Sequence, residues 1–412
     1  MPPPPRAEIP GPADVLVVGL GPAGAAAAVS LARAGWRVTA VDRSTGAPEK
    51  VCGDGLTADA LRALEALGLS GPVLREARRL DRLEIHGPGG GRAVVRGNFA
   101  SLPRARLDAL LRAEARAAGA GVLAPCTPAA PLERDGRVTG ALVAGAATRG
   151  AVLPLRARVT LLATGAAARP LRCFGILERA APWAAGARLR LEVPGGAPGA
   201  GKAALAIRFD RALCPGYGWV FPGPGATVNL GVGVFYRRGR PPGRAGLAEL
   251  WHRFAAGFAP AAAALRSGRV LAPLRAAPLR CGLSGSRPWR PGLLAVGEAA
   301  GLTLPLIGEG VGKALESGLL AADLVRAFLE GRLPESELGP AYASEIQARW
   351  GRLHHGYRRG QRWLASPRVC DFFVRRARRG GYVRRQIEGT LAETTHLGTL
   401  FTPLGLLRSM FS

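Results

Sequence analysis

Lysine is nearly missing from this chain: Lys50, Lys202 and Lys313 stand among 56 basic residues. The formal charge of +27 is therefore an arginine charge, and it accompanies heavy use of Ala, Gly and Pro, as GC-rich codons produce. No motif interleaving basic and aromatic residues goes with it. Surface composition thus accounts for the charge better than a nucleic-acid partner does, while attraction to anionic lipid head groups stays open. Cysteine is scarce too. The 6 cysteines, Cys52, Cys126, Cys173, Cys214, Cys281 and Cys370, are widely scattered. They fit neither a metal site nor a disulfide framework, which suits the reducing cytoplasm. Long hydrophobic runs are lacking: Gly, Pro or charge interrupts each before the ~20 residues that a membrane-spanning helix needs. The opening MPPPPRAEIPGP lacks the basic-then-apolar order of a signal peptide, and 1–12 reads as a disordered lead-in.

What remains is a globular composition, 48% hydrophobic over 412 residues, enough for two joined domains. Asp14-Val-Leu-Val-Val18 reads as a buried parallel strand. It enters Gly19-Leu-Gly-Pro-Ala-Gly24 and an Ala-rich helix to about Arg33; Arg37–Val41 is then a second strand, ending at Asp42. This is a dinucleotide-binding βαβ unit. Gly19 permits the tight turn, Gly21 lets backbone approach a pyrophosphate, and Gly24 allows close helix–strand packing; Ala23, beside it, is a further candidate cofactor contact. Asp42 is placed to accept a ribose hydroxyl. The unit by itself does not separate FAD from NAD.

A second glycine-rich segment lies far downstream. Leu293-Leu-Ala-Val-Gly-Glu-Ala-Ala-Gly301 leads to Pro305-Leu-Ile-Gly-Glu-Gly-Val-Gly312 and a helix from Lys313 to about Leu329. A helix start there would stabilise the negative charge of a reduced flavin ring. Gly297, Pro305, Gly308, Glu309, Gly310 and Val311 are its candidate contacts, with Glu298 for the ribityl hydroxyls; plain helix-entry geometry is the competing reading of the glycines. Between the two segments, Leu102-Pro-Arg-Ala-Arg-Leu-Asp opens a helix to Gly119, from which Arg104 or Arg106 could reach phosphate. Val159–Gly165 reads as a strand returning to the nucleotide sheet, with Gly165 allowing close backbone approach. Arg43 and Lys50 are candidates for phosphate or adenine.

In order, GxGxxG, the acidic strand end, KVCGDGL at 50–56, RARLD, LLATGA and GEAAG…P…GEGVGKALESG resemble the geranylgeranyl reductase family. This is a group of FAD enzymes of the p-hydroxybenzoate hydroxylase fold that includes menaquinone side-chain reductases and digeranylgeranylglycerophospholipid reductases. Pro215-Gly-Tyr-Gly-Trp-Val-Phe-Pro222, followed by Val228-Asn-Leu-Gly-Val-Gly233, is similar to the family's substrate-domain signature. The resemblance covers roughly 13–330. It implies an α/β chain: a Rossmann-like FAD-binding domain (13–80, 100–180 and 275–330), an antiparallel β-sheet substrate domain (81–99 and 181–274) and a helical C-terminal region (331–412). It further implies reduction of prenyl double bonds by hydride from flavin N5, with Cys52 and Gly53 at the cofactor and Cys52 and Asp54 shaping the acid site. Three positions depart from the family pattern: Glu298 stands for Asp, Thr164 for the Asp of "ADG", and the proline ahead of Tyr217 sits one residue closer.

Residues from about Ala184 to Arg237 alternate as an antiparallel sheet does. Tyr217, Trp219 and Phe221 therefore share one face, a core seam by composition alone and a prenyl-groove wall by the resemblance. Helices are expected over Ala245–Arg266 and Pro340–Leu364. The arginines 375, 376, 378, 379, 384 and 385 precede an apolar run, His396–Phe411, which is either a membrane-surface element at the inner face of the cell membrane or a helix packed on the body. No second dinucleotide fingerprint is legible, so NADPH or a ferredoxin-like protein is the expected electron donor. The alternative activity is an FAD-dependent monooxygenase or halogenase acting on an aromatic natural product. Against a halogenase, Trp-x-Trp-x-Ile-Pro is missing; Trp219-Val-Phe-Pro stands in its place.

Overall fold

The computed structural model describes residues 11–197, 204–236 and 246–411. Most of the expected 1–12 lead-in lies outside them, as do Arg237 and Ala245. Among the described residues the strands form two sheets of eight.

The first sheet carries the nucleotide unit. The apolar runs Ala13–Val18, Val38–Val41, Gly121–Leu123, Leu153–Leu162 and Leu293–Ala295 pair in parallel. The central strands are buried on both faces, which is why they read as continuous hydrophobic runs rather than alternating ones. Trp289–Arg290 adds an antiparallel edge, and the hairpin Thr127–Arg134/Arg137–Ala144 pairs with Leu153–Leu162.

In the second sheet the strands run Arg269–Leu279, Ala184–Glu192, Thr227–Phe235, Tyr217–Pro222, Ala204–Arg208, Arg78–His86, Arg92–Ser101 and Gly55–Leu56. All pair antiparallel except Ala204–Arg208 with Arg78–His86. Period-2 geometry divides its faces. Val220, Leu230 and Val232 pack with Trp251 and Phe254 of helix Leu247–Gly257. Tyr217, Trp219 and Phe221 look the other way, towards the 50–56 loop and, across the strand pair, Gly231 and Gly233.

Three helix readings change. The segment read as one helix over 245–266 is two, Leu247–Gly257 and Ala259–Ser267, because Pro260 starts a new helix and Phe258 takes an extended conformation between them. The helix expected from Pro340 begins earlier, at Glu335 behind Pro334. Gly339-Pro340 reads as a breaker, yet Gly339 is needed for packing: a Cβ there would lie 2.1 Å from Trp289 Cε3. Gln347–Gly351 is a π-turn that leads into Arg352–Trp363. Helices Pro367–Arg379 and Gly381–Leu391 then pack on strand Arg92–Ser101, and Pro403–Phe411 follows. No helix among the described residues is long and apolar enough to cross a membrane.

The crossing of helices Pro22–Arg33 and Val311–Leu329 sets the position of both glycine segments. A Cβ on Gly318 would lie 2.2 Å from Ala23 O, so the helices meet backbone to side-chain-free backbone. Gly318→Val is expected to cost about 1–3 kcal/mol through overpacking. Thermal unfolding checks this, and an unchanged midpoint would show that the helices separate freely.

Candidate active site

The first glycine turn is shaped by contact. Gly19 has φ +102°, and a Cβ there would lie 2.5 Å from Ala163 O. At Gly24 a Cβ would lie 1.9 Å from Gly19 O, while Ala23 is buried against Gly297. Gly21 precedes the first helical residue, Pro22, and the nearest atom to a Cβ there is Lys50 Nζ at 3.3 Å. Asp42 closes the turn: its Oδ2 accepts Leu20 N–H at 2.8 Å and its Oδ1 accepts Ser44 N–H at 3.0 Å. Arg112 Nη2 pairs with Oδ1 at 2.8 Å. Three donors leave the carboxylate room for one more, as a ribose hydroxyl requires.

Beside Gly21 the charges do not cancel. Asp108 is fully buried between Lys50 Nζ, 2.8 Å from Oδ2, and Arg104 Nη2, 2.9 Å from Oδ1. Burial pushes the Asp108 carboxyl up, but these two cations outweigh it and hold the group below its ordinary value. Two cations on one carboxylate leave a positive charge at the start of helix Pro22–Arg33, where the backbone already favours an anion. Arg43 is exposed, and Arg106 pairs with Glu76 at the surface, so the structure brings Arg104 and Lys50 to the turn and leaves those two outside.

The 50–56 loop is braced from the second sheet. Asp54, at φ +62° and buried, accepts Arg104 N–H through Oδ1 at 2.9 Å and Asn229 Nδ2 through Oδ2 at 2.7 Å. Asn229 Nδ2 also donates to Cys52 O at 2.8 Å, and its Oδ1 accepts Trp219 Nε1 at 2.9 Å. Asp54 is thus tied into the loop's frame. Burial pushes its carboxyl up, against the hydrogen bond from Asn229. Phe221 and Trp219 lie against Gly53, where a Cβ would meet Phe221 Cε2 at 3.0 Å and Trp219 Nε1 at 3.5 Å. The Cys52 thiol accepts Asp54 N–H at 3.4 Å and faces Arg104; burial pushes its pKa up.

The second glycine segment closes the site. Glu298 Oε1 accepts Arg280 N–H at 3.0 Å, and Oε2 faces Gly165, which has φ +64°. Burial pushes this carboxyl up to about 6. Pro305 packs by Gly282, Gly308 (φ +63°) lies by Leu279 and Phe235, and Gly310 fits over Thr303 Oγ1. Val311 starts the helix. Tyr217 Oη donates to Ile307 O, so the aromatic strand touches both the 50–56 loop and this segment. Glu309 Oε1 accepts Gly312 N–H at 2.8 Å. Behind it Lys313, buried, pairs with Asp59 at 2.9 Å, Glu316 at 2.8 Å and Glu393 at 2.6 Å.

Asp108, Arg112, Asn229 and Arg280 were not among the expected site residues. Asp108 is four residues from Arg104 on one helix face, a legible signal. Asn229 carries no local signal, since its partners are 10 to 177 residues away. Buried Arg280 binds the carbonyls of Ala166, Arg179 and Ala180, a role only the folded chain reveals.

The cradle fits a flavin dinucleotide. Its uncancelled positive charge suits a pyrophosphate, its two helix starts converge, and Thr164 Oγ1 and Glu309 Oε2 are buried without a hydrogen-bond partner among the described residues. Residues 12–155 match the family described as FAD binding domain. Menaquinone reductase of Mycobacterium tuberculosis is 32% identical over 86% of this chain and 85% of its own length. Digeranylgeranylglycerophospholipid reductase 1 of Methanopyrus kandleri is 31% identical over 82% and 85%. The crystal structure of a geranylgeranyl bacteriochlorophyll reductase-like protein from Thermoplasma acidophilum superposes with a TM-score of 0.76 at 22% identity, covering 97% and 95% of the two chains. Flavin-dependent halogenating enzymes share the fold at 15% and 18% identity, a likeness of fold alone. Sequence and structure thus agree that the chain belongs to the geranylgeranyl reductase family of FAD-dependent oxidoreductases.

Proposed function

We propose that this enzyme saturates carbon–carbon double bonds in a prenyl chain carried by a quinone tail, a geranylgeranyl diphosphate or pigment ester, or a prenyl lipid. One observation carries the reading: the aromatic strand Tyr217–Phe221 lies directly on the Cys52-Gly53 loop and reaches Ile307, giving an apolar wall between the two glycine segments. FAD held there and reduced by NADPH or a ferredoxin-like protein would supply the hydride from N5. The chain's own residues do the rest. Lys50, Arg104 and the helix start at Pro22 would hold the pyrophosphate, Asp42 the ribose, and Glu298 the ribityl chain. Tyr217, Trp219 and Phe221 hold the alkene and exclude water, which an unactivated double bond needs in order to meet its hydride donor.

Saturation also consumes a proton. Three groups near Tyr217 (Cys52, Cys281 and Glu309) keep theirs at neutral pH; Cys52 and Glu309 belong to the two loops that the aromatic strand touches. Burial raises the Cys52 thiol, so it remains S–H. Burial and then the nearby Asp59 push the Glu309 carboxyl up to about 8. Asp54 acts here by fixing the loop that presents Cys52.

Anaerobic turnover of the reduced enzyme with prenyl lipids is expected to add two hydrogens per double bond, read by mass spectrometry. An oxygenated product that requires O2 would sink the reading. Cys52→Ala is expected to slow saturation by about tenfold or more while leaving FAD affinity close to that of the parent; unchanged turnover would return the thiol to packing. The Glu309 shift sets a pH dependence. Its folded pKa lies above its unfolded value, so the folded state binds the extra proton and stability falls as pH rises from about 4.5 to about 8. Glu309→Gln removes that loss, and its thermal midpoint should gain on the parent's across this window and level off above it. A constant difference between the two would refute the neutral carboxyl.

A further inference from the structure

Helix Pro403–Phe411 is packed inside out. Gly405 and Ser409 are its buried residues, and Ser409 Oγ bonds Gly405 O at 2.7 Å. Leu404, Leu407, Met410 and Phe411 are 57%, 53%, 52% and 83% exposed. A helix of a globular body normally turns its large apolar residues inward; this one turns its small face inward and presents a row of large apolar side chains.

The surroundings are basic. Residues 352–411 contain twelve arginines against Asp371, Glu388 and Glu393. Those three acids are engaged elsewhere: Asp371 accepts Gly89 N–H, Glu388 accepts Arg96 N–H, and Glu393 pairs with Lys313 and Arg62. Arg408 lies over the Tyr382 ring at 6.0 Å. Arg384 bonds the carbonyls of Ala377 and Arg378, which joins the arginine-rich end of helix Pro367–Arg379 to the start of helix Gly381–Leu391. Arg375, Arg378, Arg379 and Arg385 are exposed around that junction.

We propose that this face docks on the surface of an anionic phospholipid bilayer. Leu404, Leu407, Met410 and Phe411 enter the boundary between head groups and acyl chains, and the arginines meet lipid phosphates. Charge selects this occupant over a second copy of the chain, because a self-complementary contact would set one arginine cluster near another. The docked helix also stands behind the flavin cradle: Phe401, two residues before it, packs against Gly360 together with Leu306, the neighbour of Ile307. Docking rests on this surface and not on the reaction proposed above, so its test needs no turnover.

Flotation of the full chain, FAD-loaded, with vesicles of phosphatidylcholine alone or mixed with phosphatidylglycerol measures it. The protein should float with the anionic vesicles and be released by high salt. Leu404→Ser combined with Leu407→Ser and Phe411→Ser should lower the bound fraction by at least about tenfold. Arg378→Glu with Arg379→Glu and Arg385→Glu should abolish the preference for phosphatidylglycerol. All these side chains are exposed, so FAD absorbance and thermal midpoint serve as folding controls. Equal flotation of parent and serine variant would overturn the proposal. So would failure of the parent to float, or a parent dimer that the serine variant dissociates, which would give the face to a second copy.

Discussion

Two helices must begin in one cleft, and everything else in the site depends on how closely they cross. Gly318 meets the Ala23 carbonyl without an intervening side chain, and Gly297 fits against Ala23 and Ala314. A single Cβ at the crossing would push the axes apart. The partial positive charges of both helix starts would then no longer converge, and a ligand with phosphates at one end and an electron-rich ring at the other could not engage both. The small residues of the two motifs therefore serve one geometric condition.

That convergence makes the cleft electropositive, and the buried acids divide by what they meet. Burial pushes Asp108 and Asp54 upward alike. Asp108 has Arg104 and Lys50 beside it and ends below its ordinary value. Asp54 meets the neutral donors of Asn229 and the Arg104 backbone and ends above its own. One carboxylate tunes charge at the phosphate end; the other fixes a loop. Near Gly165 the same economy applies. Glu298, whose Oε2 faces Gly165, is likewise pushed up by burial, which makes its ionisation costly.

The nucleotide unit was legible because its chemistry is local: turn, helix start and strand end lie within 24 residues, from Gly19 to Asp42. The aromatic face was legible because alternation fixes which side a strand residue takes. Asn229 was not, since one side chain joins Trp219, Cys52 and Asp54 across the fold. The helix at Glu335 was hidden by Gly339-Pro340, where packing against Trp289 overrides the breaker signal. For Asp54 the sequence suggested a part in shaping the acid site beside Cys52; the structure adds that both carboxyl oxygens accept hydrogen bonds from the frame of that loop.

The apolar run at 396–411 shows why sequence left two readings of one segment. Periodicity says that a helix has a large-residue face; it does not say which way that face turns. Here the preceding turn Leu397–Phe401 anchors the segment through Phe401, and the Gly405–Ser409 side lies inward. Packing and exposure are thus not alternatives but opposite faces of one helix. With the proposed long apolar chain as substrate, the enzyme would gain from such an arrangement. A docked helix behind the second glycine segment would shorten the path between acyl chains and the aromatic wall, so the chain need not cross water to reach the flavin.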